Sequence, residues 1–333
     1  MNTTKQYISI LLLATCSLIL ASCDEDSFST VVEVDLSEYG NQLVVLAPFQ
    51  PDFPSADLNH FQLKLVKSND ILNENSDFQP ITNATVDIYE EGELFVTLFH
   101  SENGNYGSPI GKGPKVGKDY RIEINSTDFG KTTAESQVPN KPQILQAYIS
   151  DENYYDASEE AEKIEVTFEI KDELDVANYY YLTVNSIIDD GIIEPSYWNV
   201  CFSTSDPAFD EDEYNDDFFE VEETPTNYYC DGFATFRDLI FEGETKIVKI
   251  YVDKYYVYDY TFDPETGESQ EFRRDIQVVF GAMSRDIYNY KRSARTQSWN
   301  EDNPFAEPIR VYSNIEGGIG IFGGFVETSV ILE

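Results

Sequence analysis

Ile164-Glu165-Val166-Thr167-Phe168-Glu169-Ile170 alternates apolar and polar side chains without a break. In an extended chain successive side chains point to opposite faces, so the stretch reads as a strand with one dry and one wet face. The same period of two recurs at Ala84-Thr85-Val86-Asp87-Ile88-Tyr89 and at Tyr120-Arg121-Ile122-Glu123-Ile124-Asn125. Turn formers separate such runs: Gly92 after two glutamates, Asn103-Gly104, Gly117-Lys118 and Glu242-Gly243. Short strands at this spacing predict antiparallel sandwiches. Long helices do not alternate with the strands, which argues against a parallel α/β enzyme scaffold. One helix is predicted from Ser284, where a serine precedes Ile287, Tyr290, Lys291 and Ala294 at helical spacing.

Outward from these strands, Val138-Pro139-Asn140-Lys141-Pro142 reads as a semi-stiff connector, because two prolines interrupt pairing. The organisation expected is a β-sandwich over 31–139, then a β-rich domain over 140–333 with an acidic insertion at 202–229. Two domains also suit the roughly 310 residues that follow the N-terminal segment, more than one core usually fills.

That segment is an address. The apolar run Ile8 to Leu20 leads into Leu20-Ala21-Ser22-Cys23, and Asp24-Glu25-Asp26 follow at once. A short apolar stretch ending in small residues reads as a cleaved signal over 1–22. A cysteine directly after Ala-Ser reads as a lipobox, with Cys23 acylated and 23–30 an acidic tether. Cys16 is the poorer choice, since Thr15 fits less well than Ser22 before the cut. The run is short of the about 20 apolar residues that spanning needs. The lipid is therefore expected to be the membrane attachment.

The formal net charge is −40, from 62 acids against 22 bases. Nucleic acid, which needs a basic footprint, is an unsuitable partner. With Cys16 and Cys23 assigned to the signal and the lipid, Cys201 and Cys230 remain. An even pair in an exported chain points to a disulfide, with two separately buried thiols as the alternative. Between them lie ten acids and no lysine or arginine. Asp210, Asp212, Asp216 and Asp217 are candidate Ca²⁺ ligands, although the spacing is not that of an EF-hand. A solvated, self-repelling insertion is the plainer reading, and no cofactor is expected. Arg285, Lys291, Arg292 and Arg295 offer a basic surface around the predicted helix.

Gly318-Ile319-Gly320-Ile321-Phe322-Gly323 matches G-x-G-x-x-G, but the residues after it read as a strand and not a helix. The glycines are expected to serve a tight turn or closely packed strands. His60 and His100 stand apart in sequence and read as strand residues, and neither H-E-x-x-H nor G-x-S-x-G occurs. The chain is not expected to be an enzyme. Tyrosine, with 23 residues, clusters at 154–155, 179–181, 228–229 and 255–260. Such runs suit sheets, interfaces and sugar stacking alike.

The ending Pro304-Phe305-Ala306-Glu307-Pro308, then Val311-Tyr312-Ser313-Asn314-Ile315-Glu316-Gly317 through Gly323, resembles the closing signature of a Bacteroidota lipoprotein family, domain of unknown function 4249. Cys23, Val32 to Leu36, Ala84 to Ile88, Asn103 to Tyr106, Gly117 to Tyr120, Val138-Pro139, and Tyr288, Tyr290 and Gln297 resemble it in order. The resemblance implies an N-terminal sandwich of immunoglobulin-like or carboxypeptidase-regulatory-like type, followed by a second β-rich domain. It also implies an outer-membrane β-barrel partner of the TonB-dependent type, with no catalytic residues. Acids just after the lipidated cysteine resemble the surface-sorting tag of such lipoproteins, which puts the expected location at the cell surface. The function expected is a non-catalytic accessory or binding subunit of that barrel. The alternative is a structural or assembly subunit of an envelope complex, or an adhesin.

Overall fold

Each alternating run folds as a strand with its apolar members inward. In the computed structural model the described residues are 41–51, 60–68, 78–156, 161–188, 194–209, 227–230, 234–262, 267, 269–300 and 309–332. All belong to the unit Asn41–Glu333. The first strands are β1 (Leu43–Phe49), β2 (Gln62–Lys67), β3 (Gln79–Pro80), β4 (Thr85–Glu90), β5 (Glu93–His100), β6 (Asn105–Gly107), β7 (Asp119–Ser126) and β8 (Gly130–Gln137). Then come β9 (Gln143–Asp156), β10 (Ala161–Lys171), β11 (Tyr179–Ile188), β12 (Ser196–Asn199), β13 (Phe202–Thr204), β14 (Asn227–Tyr229) and β15 (Ala234–Arg237). The last are β16 (Thr245–Asp253), β17 (Tyr258–Phe262), β18 (Ser269–Arg273), β19 (Ile276–Met283) and β20 (Ile319–Leu332). Two α-helices stand among them, α1 (Lys254–Val257) and α2 (Arg285–Asn300). The fold is mainly β and sandwich-like.

One hydrogen-bonded path runs β12-β11-β19-β20-β1-β2-β6-β5-β4-β7-β8, with β15 also on β11 and β3 on β2. Among the described strands β1 and β20 form the one parallel pair, in register from Val44 opposite Ile319 to Phe49 opposite Gly324. The far end of the path curls back. Thr133 of β8 exchanges backbone hydrogen bonds with Glu316 at 3.0 and 2.8 Å, and the Thr132 hydroxyl donates to the Gly317 carbonyl at 3.2 Å. The curl encloses an aromatic cluster, with ring centroids 4.7 Å apart for Phe49 and Phe322 and 5.2 Å for Phe61 and Tyr120.

A second sheet, β14-β13-β16-β10-β9, lies over the β11–β19 end. Val166 and Phe168 from β10 and Val248 and Ile250 from β16 are fully buried, within one cluster that also holds Leu182, Phe236 and Phe280. β17 and β18 form a separate two-stranded hairpin.

Turn chemistry sets the registers. At Asn103-Gly104 both residues have positive φ, 51° and 77°, as a tight hairpin turn between twisted strands requires. A side chain on Gly104 would also strike the Leu65 carbonyl oxygen. The tyrosine run 255–260 departs from a strand. Asp253 caps Tyr255 N at 2.8 Å and starts α1, and the run becomes extended only at Tyr258. The disulfide Cys201–Cys230, with Cα atoms 4.3 Å apart, fastens the start of β13 to the end of β14.

Candidate functional site

The site begins with the outward side chains of β1. Leu43, Val45, Ala47 and Phe49 point into the core, so Leu46 and Pro48 face the other way. Opposite them on β20 stand Ile321 and Gly323. Helix α2 is laid across this outer face. Ser284 begins it, its hydroxyl accepting from Ile287 N at 3.3 Å while its own N–H donates to the Gly324 carbonyl at 2.8 Å. A Cβ on Gly323 would lie 2.5 Å from the Ile287 side chain, so the glycine permits the helix to seat. Tyr181, Met283, Ile287, Tyr288 and Ile321 form the small core beneath the helix.

The closing stretch of sequence holds α2 from the other side. Gln297 accepts from Ile309 N at 3.0 Å, and Ser293 accepts from Tyr312 N at 2.8 Å. Asp286 accepts from the hydroxyls of Tyr312, at 2.7 Å, and Ser136, at 2.9 Å. Burial, with the Asp286 hydrogen bond second, pushes the Tyr312 phenol up to about 12. Asn314 brackets the Phe322 backbone, accepting from its N–H at 3.0 Å and donating to its carbonyl at 2.7 Å.

Between α2 and β1 the cover is incomplete, leaving a pocket of about 460 Å³. Met283, Ile287, Ile321, Phe325, Leu46 and Pro48 supply its apolar wall, and Tyr181, Tyr290, Lys291 and Glu327 its polar groups. The Tyr181 hydroxyl donates to Glu327 at 2.9 Å. Its ring fits only because residue 281 is glycine, since a Cβ there would overlap the ring. Burial raises the Tyr181 phenol, which therefore stays a donor. Burial also holds the Lys291 ammonium below the usual lysine range.

Leu46, Pro48 and Phe325 are shared with a second, more open recess of about 1140 Å³ on the outer face of β1, β2, β6 and β5. Phe99 and Ile110 stand on it with about two thirds of their surface exposed. His60 and His100, which stand alone in sequence, both line this recess. His60 is hydrogen-bonded to Gln62, and the His100 ring lies 5.2 Å from that of Tyr106. Tyr106 is structural, its hydroxyl donating to the Ile81 carbonyl and accepting from Ala84 N, both at 3.1 Å. The two recesses make one trough across a Leu46–Pro48–Phe325 saddle. Such a surface can hold an apolar body and orient polar groups at its ends.

A buried polar cluster elsewhere is structural. Asp172 accepts from the Tyr180 hydroxyl, from Asn178 Nδ2 at 3.2 Å and from Gly243 N at 2.7 Å, joining the end of β10 to the starts of β11 and β16. Beside it burial pushes the Asp238 carboxyl up, although Asn178 N donates to it at 2.6 Å.

Of the residues singled out in sequence, Cys201 and Cys230 are brought together as a disulfide. Cys23 and the acids Asp210, Asp212, Asp216 and Asp217 lie outside the described residues. Among the described residues no group of three or more His, Cys, Asp or Glu could hold a metal ion. Among them, too, no helix is long and apolar enough to cross a membrane, which leaves strands out of account. The glycines of the false nucleotide motif serve close packing. Gly320 has φ +120°, and a Cβ there would run into the Val45 carbonyl oxygen. The trough itself carries no sequence signal, because its wall is assembled from β1, β2, β5, β6, β11, β19, β20 and α2.

No curated protein matches the chain. The model of one family, described as Domain of unknown function (DUF4249), matches residues 29–331. A match over nearly the whole chain, closing signature included, makes this protein a member of the DUF4249 family.

Proposed function

We propose that the chain is a non-catalytic binding lipoprotein of the Bacteroidota type. It is anchored through Cys23 to the outer membrane and works as an accessory subunit of a TonB-dependent β-barrel. The observation that carries the binding part is the trough. Two adjoining recesses of about 460 and 1140 Å³ meet over exposed apolar side chains, which a soluble protein seldom leaves uncovered without a use. The lipobox supports the anchor, and the three acids after Cys23 support the cell-surface face. The resemblance supports the barrel. In this reading no cofactor is needed.

The test is a mild-detergent pull-down of the tagged, lipidated protein from native membranes, with co-purifying proteins identified by mass spectrometry. A stoichiometric TonB-dependent barrel is the expected result. Recovery of the protein alone would overturn the accessory role.

One feature favours a second reading, a structural or assembly subunit or an adhesin. The outer face of the β9–β10–β16 sheet exposes Tyr148, Tyr154 and Ile247, with the Tyr154 and Tyr251 rings 5.4 Å apart. That flat, aromatic face suits a protein contact. In this case the same pull-down would return a multi-protein assembly without a receptor.

A further inference from the structure

We infer that a pocket beside α1 binds one unit of a neutral saccharide, stacked on the rings of Tyr255, Tyr258 and Tyr260. This site is independent of the trough and of the barrel partnership. The three rings share a side because of α1. In an uninterrupted strand Tyr255 would face away from Tyr258 and Tyr260. The helical turn Lys254–Val257 brings residues 255 and 258 to one side, and the strand that follows keeps 258 and 260 together. Val257 is fully buried and Tyr256 packs against the core, so these two take the inward side. Tyr255, Tyr258 and Tyr260 then line one pocket of about 370 Å³.

Shape and surface suit a sugar ring. The volume is that of a small-molecule site. Tyr255 is 74% exposed and Tyr260 62%, so both rings are open to an arriving ligand. The Tyr260 hydroxyl donates to Glu271 at 2.8 Å, which ties that ring across the hairpin to β18. A pyranose carries an apolar face of C–H groups that lies on such rings, and a rim of hydroxyls that both donate and accept.

Charge selects a neutral ligand. Glu162, Asp253 and Asp259 line the pocket together with Lys254 and Arg274. Lys254 pairs with Glu162 at 3.1 Å, Arg274 pairs with Asp259, and Asp253 accepts from Tyr255 N at 2.8 Å. An anion would meet three carboxylates. A cation would find the Lys254 ammonium already 5.4 Å from the centre of the Tyr258 ring, where it would itself need to sit. Sugar hydroxyls meet neither obstacle, since they donate to carboxylate lone pairs and accept from the ammonium.

The test uses the purified protein with four neutral hexasaccharides, cellohexaose, maltohexaose, xylohexaose and mannohexaose, and with anionic hexagalacturonate, followed by titration calorimetry and saturation-transfer NMR. At least one neutral hexamer is expected to bind, and hexagalacturonate at least about tenfold more weakly. Tyr255→Ala combined with Tyr260→Ala should weaken the bound hexamer at least about tenfold, because two stacking contacts are lost where folding is not at stake. Tyr260→Phe keeps the ring and should keep the affinity. Tyr148→Ala, on the outer face of the β9–β10–β16 sheet, should change nothing.

Failure of all four neutral hexamers to bind overturns the inference, as does hexagalacturonate binding equally tightly. Binding that survives the double variant, or that is lost in Tyr148→Ala, overturns the placement at α1. The barrel partnership is judged separately by the pull-down.

Discussion

At the scale of single residues, two positions show how much rests on local chemistry. Glu123 pairs with Lys131 at 2.9 Å and accepts from Arg121 at 3.0 Å, and those two hydrogen bonds lower its carboxyl from 4.5 to about 2. A depressed carboxylate stabilises the fold above its unfolded value and loses that contribution as the pH falls through the folded one. Glu123→Gln should therefore lower the melting temperature at neutral pH and flatten its fall between pH 4.5 and about 2, so that variant and parent converge at the acid end. An unaltered acid limb would show that the pair is idle in solution. Gly320 works through the backbone. Its φ of +120° and the closeness of the Val45 carbonyl oxygen leave no room for a side chain. Gly320→Ala should cost more than about 2 kcal/mol, read by chemical denaturation, because a strained backbone and a clash add.

At the scale of elements, helix α2 depends on its first residues. Ser284 is buried and caps Ile287, so Ser284→Ala should cost about 1 kcal/mol, measured by urea unfolding, while Ser284→Asp should retain the cap if its bulk is tolerated. Reducing Cys201–Cys230 frees a loop with a sequence separation of 29 and should cost about 3–4 kcal/mol, visible as a shift between oxidised and reduced melts. Elements were also the level at which the sequence was most legible. A strand with one buried face writes its period into neighbouring residues, as β4, β7 and β10 do, and Ser284 announces α2 by its spacing. Helix α1 was hidden because Tyr255, Tyr256 and Val257 are all good strand formers, and a single cap at Asp253 decided otherwise. The candidate site was not legible. Leu46 and Pro48 become its saddle only once Phe325, far along the chain, is packed beside them.

At the scale of the whole molecule, β20 joins what the sequence keeps apart. It pairs with β1 on one side and β19 on the other, and it also packs along β8. A chain ending at Gly318 should lose near-ultraviolet ellipticity and expose apolar surface to dye, both halves failing together. A truncated protein with a native-like N-terminal half would show that the β1–β20 pairing is dispensable there. The parallel pairing also has a consequence in time. Val44 meets Ile319 across roughly 275 residues, and contacts of such reach close slowly. During synthesis β1 is made early and its neighbour late, so for most of that interval one long edge of an apolar strand stands open. The nascent protein is thus a vessel whose final stave arrives last, and its window of vulnerability to misassembly is set by the pace of translation rather than by the stability of the finished fold.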